Sequence, residues 1–240
     1  PMDESGIRPE VLETSGADIL HLSPSHHYPT GTVTPISRRY ELLGWASKSE
    51  NRYIIEDDYD SEFRLLGKPI PALQSIDVMD KVIYMNTFSK SLSSTIRISY
   101  MVLPEKLLER FYEKLGFYSC TVSNFEQLTL AKFISGGHFE KHINRMRNFY
   151  RNQRDILLES IRNSSLSDKI QIKEENSGLH FLMEIDTDLS DEALEAVAER
   201  KGLRISCLSR YYHEPKQAKQ HVIVLNYSGI DREKMAEAEN

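Results

Sequence analysis

Three β-prone runs in this chain end in polar side chains, and that pattern constrains the fold more than any other feature. Val82-Ile83-Tyr84-Met85-Asn86 leads into Thr87-Phe88-Ser89-Lys90-Ser91. Arg52-Tyr53-Ile54-Ile55 leads into Glu56-Asp57-Asp58-Tyr59, and a third run, Ile98 to Leu103, is preceded by Arg97. Parallel strands deliver reactive side chains at their carboxyl ends. The pattern therefore predicts an open α/β sheet on which Asp57, Tyr59, Lys90 and Arg97 meet in one pocket.

The rest of the first half fits such a sheet. Residues 1–20 are polar, with one weak helical piece from Pro9 to Thr14. Ile19-Leu20-His21-Leu22 is a strand candidate. It runs into Ser23-Pro24-Ser25-His26-His27-Tyr28-Pro29-Thr30-Gly31, a loop by its prolines, glycine and hydroxyls. Thr34-Pro35 has the form of an N-cap with proline at the first helical position. The helix it opens presents Tyr40, Leu42, Leu43, Trp45 and Ala46 at three-and-four spacing, a core face. Strands are expected at 52–56, 81–86 and 97–103, with a loop marked by Gly67, Pro69 and Pro71 after the first. Pro104 opens a helix through Leu107, Leu108 and Phe111. This order suits the second half of an open α/β domain, with further strands expected upstream.

Beyond an irregular joint at 118–123, residues 124–135 read as a helix stopped by Gly136-Gly137. A long helix over 138–163 repeats Ile143, Met146, Phe149, Tyr150, Ile156, Leu157 and Ile161. Arg145, Arg147, Arg151 and Arg154 among them read as a solvated face. The tail then alternates strands at 170–173, 178–185, 203–205 and 221–227 with a helix from Ser190 to Lys201 that Gly202 stops. Asp231 caps a last helix reaching Asn240. The expected organisation is a large-domain portion over 1–118, connecting helices over 119–163 and a small α+β domain over 164–240.

With 240 residues, 40% of them hydrophobic and 28% charged, the chain can bury a substantial core. Its net charge of −6 argues against nucleic-acid binding by this part, because such surfaces are basic. Cys120 and Cys207 have no metal-type spacing, and no apolar run approaches a membrane span. The opening Pro1-Met2-Asp3-Glu4 is no signal peptide. A cytoplasmic protein away from membranes is the expectation.

A lysine at a strand end among small residues is a candidate carbonyl-binding amine, although most lysines are simply solvated. A pyridoxal cofactor needs more parts. An anion must face the pyridine nitrogen, and Asp57 on the neighbouring strand fits. A phenol should meet the ring oxygen, and Tyr59 fits. Hydroxyls and a guanidinium suit the phosphate, and Thr87, Ser89 and Arg97 fit. The other reading of Asp57, Asp58 and Asp60 is an acidic turn or a hard-cation site, the latter with its remaining ligands unspecified. His26 and Tyr28 mark the proline-rich loop as a second wall. His180 either lines the pocket or packs in the interior.

These strings resemble the aminotransferase-like domain of the MocR/GabR-type regulators of the GntR superfamily. The resemblance rests on 23–31, on Ile55-Glu56-Asp57-Asp58-Tyr59-Asp60-Ser61-Glu62-Phe63, on Pro71-Ala72-Leu73-Gln74-Ser75 and on Tyr84 to Leu92. Arg97-Ile98-Ser99-Tyr100 and Gly178-Leu179-His180-Phe181 add to it, and it spans roughly Asp3 to Glu237. It implies a fold type I, pyridoxal 5′-phosphate (PLP)-dependent aminotransferase-like domain, here its partial large domain and its small C-terminal domain. It further implies a bacterial transcription regulator that is a homodimer and reaches DNA only through a separate N-terminal winged helix-turn-helix. Such a domain senses PLP or a small amine or amino acid and is not an enzyme; the alternative is a PLP-dependent aminotransferase acting on an amino acid. By resemblance, Lys90 carries the cofactor as an internal aldimine, Asp57 pairs with the pyridine nitrogen and Tyr59 holds the ring oxygen. Thr87, Ser89 and Arg97 serve the phosphate, with His26 and Tyr28 beside the ring oxygen. No residue is assigned a catalytic or metal-binding role.

The chain departs from that pattern in two ways. The winged helix, the linker and the first half of the large domain are not in it, which reads as a C-terminal fragment. Where carboxylate-binding relatives carry an arginine, Leu225-Asn226-Tyr227-Ser228-Gly229-Ile230 places Gly229. That favours an effector recognised without a carboxylate clamp, the cofactor itself foremost. Arg210 in Ser209-Arg210-Tyr211 is the candidate substitute and, with His180, completes the expected effector pocket.

Overall fold

The computed structural model describes residues 1–65, 70–176, 178–214 and 217–230. A short antiparallel ribbon pairs β1 (Met2–Asp3) with β2 (Gly6–Ile7). Gly6 has a φ of +101°, and a Cβ there would lie 2.9 Å from Thr34 Oγ1, so only glycine suits the turn. Then come α1 (Pro9–Ser15), β3 (Ile19–Leu22), α2 (Ile36–Ser47), β4 (Tyr53–Asp57), α3 (Leu73–Ile76), β5 (Val82–Thr87), α4 (Phe88–Ser91) and β6 (Ser99–Val102). Three helices follow: α5 (Glu105–Leu115), α6 (Asn124–Ser135) and α7 (His138–Asn163). The tail holds β7 (Ile170–Lys173), β8 (His180–Ile185), α8 (Asp191–Arg200) and β9 (Val222–Asn226). Contacts divide the chain into two units. One is Pro1–His27, Thr32–Glu62 and Lys68–Arg145; the other is Tyr28–Gly31, Phe63–Gly67 and Met146–Asn240.

The first unit is built on a four-stranded sheet in the order β3-β4-β5-β6, parallel for the first three strands and antiparallel for β6. The register aligns Leu22 with Glu56 and Asp57 with Met85. Because side chains alternate along strands, Leu20, Leu22, Ile54 and Val82 share one face. They form a core with Leu42, Trp45, Ala46 and Leu73. His21, Asp57, Met85 and Met101 lie on the other, more open face. Ser123 caps α6 in a reciprocal capping box with Glu126, and the helix ends at Gly136-Gly137 as its sequence signals. Neither α5 nor α6 buries a side chain, and Tyr112, Phe125 and Leu128 are largely exposed.

The second unit holds an antiparallel sheet in the order β7-β8-β9. Leu182, Leu208, Val222 and Val224 form its core. Asp191 is buried at the start of α8, where its carboxylate accepts hydrogen bonds from His221 N at 2.7 Å and Ser209 Oγ at 2.5 Å.

Several expectations shift. Thr34 is not the N-cap of α2: the Arg39 amide donates to the Pro35 carbonyl, which starts the helix at Ile36, and the Thr34 carbonyl is taken by Arg39 Nε. Tyr40 points to solvent, and Arg39 occupies the buried position beside Leu42. On α7, Phe149 and Ile156 are exposed, whereas Gln153 and Leu158 are buried. Arg154 does not belong to a solvated face: it is buried, donating to Glu175 O at 3.0 Å and pairing with Asp155. Residues 203–205 form no strand, since only Cys207 bridges to Ile223 there. The helix expected from Asp231 lies outside the described residues.

Candidate functional site

In the first unit, the carboxyl ends of β3, β4 and β5 and the start of β6 share one sheet edge by their register. Thr87 ends β5 and caps α4, its Oγ1 accepting from Ser89 N at 3.2 Å. Ser89 Oγ donates to Ile96 O at 2.8 Å and accepts from Arg97 Nη1 at 3.3 Å. Thr87, Ser89 and Arg97 thus form one cluster of hydroxyls and a guanidinium. Lys90 is exposed on α4 next to it.

Asp57 closes β4 with its side chain partly exposed and its Oδ2 3.6 Å from His21 Nε2. The acidic string splits between two sides of the chain. Asp58 turns inward and accepts from Ser61 Oγ and Tyr84 OH, at 2.7 and 2.8 Å. Burial, and next the Asp58 charge, hold the Tyr84 phenol far above its ordinary range. Asp60 is buried against His26, with Nδ1 and Oδ2 2.8 Å apart. Tyr59 OH donates to His26 O at 3.0 Å and lies 3.3 Å from Nδ1. No group of three His, Cys, Asp or Glu side chains placed to hold a metal ion occurs among the described residues.

Beneath this edge Arg39 fastens the loops. Its guanidinium, excluded from solvent, donates to the carbonyls of Thr34, Pro71 and Pro24 at 3.0, 2.8 and 2.9 Å. Buried Glu56 lies 3.7 Å away and receives Leu73 N and Gln74 N at the start of α3. Burial raises the Glu56 carboxyl, although the two amides act in the opposite direction.

In the second unit, Tyr28 meets His180 edge-to-face at 5.3 Å and joins its hydroxyl to that of Tyr211 at 2.8 Å. His180 is buried and hydrogen-bonded to Pro29 O at 3.1 Å, which is the packed position of the two readings. Burial, and next the Tyr211 hydrogen bond, push the Tyr28 phenol up to about 12. Arg210 Nη2 pairs with Glu195 Oε2 at 2.5 Å, and Glu195 Oε1 also receives Cys207 N. A Cβ at Gly229 would meet nothing within 4 Å, so sterics do not exclude a side chain there.

The structure therefore joins His26 with Tyr59, Thr87 with Ser89 and Arg97, and Tyr28 with His180. Sequence reasoning missed His21, Arg39 and Glu195; it read Asp60 only as part of an acidic turn or cation site and Tyr211 only as a neighbour of Arg210. The alternation of β3 and β4 carried a signal for His21 alone, once the register was known.

The donor set fits PLP in kind: an accessible amine on Lys90, a carboxylate on Asp57, and the Ser89–Arg97 pair for a phosphate. The family model "Aminotransferase class I and II" matches residues 13–238. The HTH-type transcriptional regulator YdeL of Bacillus subtilis is 40% identical over 99% of this chain and 50% of its own length. The protein of Rhizobium meliloti named "Probable rhizopine catabolism regulatory protein MocR" is 33% identical over 100% of this chain and 48% of its own length. The chain thus spans about half the length of the curated relatives it matches. Among solved structures, a Pyrococcus horikoshii kynurenine aminotransferase in complex with PMP superposes with a TM-score of 0.84 at 25% identity, over 99% of this chain and 60% of that one. The chain belongs to the class I and II aminotransferase family, in the branch that forms the aminotransferase-like domain of MocR-type regulators.

Proposed function

We propose that this chain is the effector-sensing, PLP-binding domain of a bacterial transcription regulator. The observation that supports the reading is the sheet edge at which Asp57 ends β4 and the Ser89–Arg97 pair follows β5, with Lys90 next along α4. PLP supplies an aldehyde that a lysine amine captures and a pyridinium ring that withdraws electrons. Lys90 is the capturing amine. Asp57 keeps a proton on the ring nitrogen, and an anion there holds that proton by charge attraction. Arg97 binds the phosphate with N–H groups beyond the one that meets Ser89, and the hydroxyls of Thr87 and Ser89 hold it in place. Tyr59 faces the ring oxygen, fixed in orientation by His26 and Asp60, with Tyr28 on the same loop. His180 and Arg210 serve the effector, for which PLP itself is the leading candidate.

The relatives' regulator names and their greater length support DNA contact through a separate N-terminal domain. A homodimer would cover the exposed apolar side chains of α5 and α6. We assign the domain to the cytoplasm, where a DNA-binding regulator would act; no described helix is long and apolar enough to cross a membrane. The aminotransferase family match keeps a second reading in view, a working aminotransferase, which steady-state transamination with a panel of amino acids separates from a sensor.

The test is an absorbance titration of the full-length protein with PLP, with Lys90→Ala beside it. A visible band in the wild type and none in K90A is the expected result. An unchanged band in K90A refutes the lysine assignment, and no band in either refutes cofactor capture.

A further inference from the structure

We propose that the joint between α6 and α7 holds a separate ligand site, one that takes an aromatic carboxylate. It lies wholly within the first unit and does not depend on the cofactor reading. An open cavity of about 540 Å³ is lined there by Phe133 of α6 and by His138, Lys141, Asn144 and Arg145 of α7. That volume falls among those of small-molecule pockets, which combine an apolar wall with a few polar groups. The aromatic wall is set by the helix joint. Gly137 turns the chain with a φ of +71°. A Cβ at Gly136 would lie 2.9 Å from His138 Cδ2, so glycine leaves room for the imidazole to fold back. The imidazole stacks on the Phe133 ring at 5.9 Å, with 29° between the planes. His142 meets the same ring at 6.5 Å, and its Nε2 is buried without a hydrogen-bond partner. Phe133 and His138 together offer a flat surface for another ring.

Charge supplies the second half of the argument. His138, Lys141 and Arg145 are spaced three and four apart, which places them along one stripe of α7. Lys141 and Arg145 repel each other at that spacing, and neither takes part in an ion pair among the described residues. The stripe also starts at the first residue of α7, where the helix dipole disfavours cations and favours an anion. Glu140 is the acidic residue of that turn, and it is not in the lining. A carboxylate between Lys141 and Arg145 relieves their repulsion and meets the positive end of the helix. The guanidinium can hold it through two parallel N–H groups. The ring attached to that carboxylate then lies along Phe133 and His138. An anion without such a body leaves the apolar wall uncovered, so the site favours the aromatic acid over a bare inorganic anion.

The experiment uses the full-length protein with PLP present throughout, and calorimetry as its readout. The probes are 2-naphthoate, its neutral counterpart 2-naphthalenemethanol, and inorganic phosphate. Saturable binding of the naphthoate, tighter than that of the alcohol, is the expected result. Lys141→Gln and Arg145→Gln should each weaken the naphthoate roughly two- to fivefold, the scale of an exposed ion pair, and leave the alcohol unchanged. Both side chains are exposed and glutamine is a good helix former, so the fold should survive, as far-ultraviolet dichroism will show. Phe133→Leu should weaken both naphthalene probes, since it removes the stacking face. Naphthoate affinity unchanged in the K141Q/R145Q double variant places the ligand elsewhere and overturns the proposal. So does an absence of saturable binding. Phosphate that binds as tightly as the naphthoate overturns the aromatic assignment. None of these outcomes bears on the Lys90-dependent band, which tests the cofactor reading separately.

Discussion

Replacing Arg39 with methionine should be among the most damaging single changes to the first unit. Methionine keeps much of the volume but deletes three donors, leaving the carbonyls of Thr34, Pro71 and Pro24 without the bonds they receive at 3.0, 2.8 and 2.9 Å. It also strands Glu56, 3.7 Å away and equally buried. Hydrogen bonds to charged donors contribute about 1.5–3 kcal/mol each, but the loops can relax, so their sum overstates the loss. Removing one member of a buried ion pair costs about 3–5 kcal/mol, and that range is the expected loss in urea unfolding. The partner variant Glu56→Gln keeps one acceptor for the two amides at 2.8 and 2.9 Å and loses about 1–2 kcal/mol. The double variant should cost less than the sum by about 1–3 kcal/mol, because the charge that R39M strands is gone. The pH dependence has a definite sign. Burial raises the folded-state Glu56 carboxyl above 4.5, so its protonation favours the folded state. The R39M deficit should therefore shrink as pH falls through that raised value toward 4.5. An R39M loss below about 1 kcal/mol, or strict additivity in the double variant, would refute the clamp.

Asp57→Asn should weaken PLP binding by roughly tenfold or more, since one pKa unit of lost pairing is worth about 1.4 kcal/mol; wild-type affinity and spectrum in the variant would sink its assignment to the ring nitrogen. Tyr28, raised to about 12, stabilises the fold fully below its unfolded value near 10, and that contribution is lost as pH rises from there through about 12. Difference absorbance should show Tyr28 among several phenols that titrate late, and Tyr28→Phe should remove one phenol's amplitude from the step near 12 while Tyr84 still titrates late. Glu184 takes Lys173 and Lys219 at 2.8 and 2.6 Å, and these bonds hold its carboxyl below 4.5. Glu184→Gln should cost about 0.5–1 kcal/mol at neutral pH, modest because the network is partly exposed. The difference should vanish as pH falls through that depressed value, and a penalty that persists in acid contradicts the ionic account.

How far the sequence reached depends on whether the signal was local. Strands β3, β4, β5, β8 and β9 and the helices α6 and α7 were legible because each carries its own periodicity and its own stop, such as Gly136-Gly137. The offset between strands was not. His21 approaches Asp57 only because Leu22 pairs with Glu56, and nothing within either segment sets that register. Arg39 was hidden for a related reason. Hydrophobicity chose Tyr40 for the core, whereas the buried position belongs to the residue that can satisfy three loop carbonyls, and those carbonyls come from three separate segments. The run at 203–205 has β-branched and apolar residues, yet a strand needs a ladder, and β9 accepts only the bridge at Cys207.

The distinction between sensor and catalyst does not lie in the cofactor edge. Lys90, Asp57 and Arg97 would serve either role, because capturing an aldehyde and binding a phosphate precede any turnover. A transaminase must also hold an amino acid's carboxylate and move a proton at its α carbon. Among the described residues of the second unit, Arg210 is paired with Glu195, and the hydroxyls of Tyr28 and Tyr211 are joined. A sensor that only captures its ligand needs neither of those further steps, so turnover is what separates the two readings. In the proposed sensor, Lys90 and its neighbours would report binding without turnover. On this reasoning, amines that alter the PLP absorbance band of the full-length protein should do so without forming a keto product, and an amino acid that both shifts the band and is transaminated over many cycles would return the chain to the enzymes.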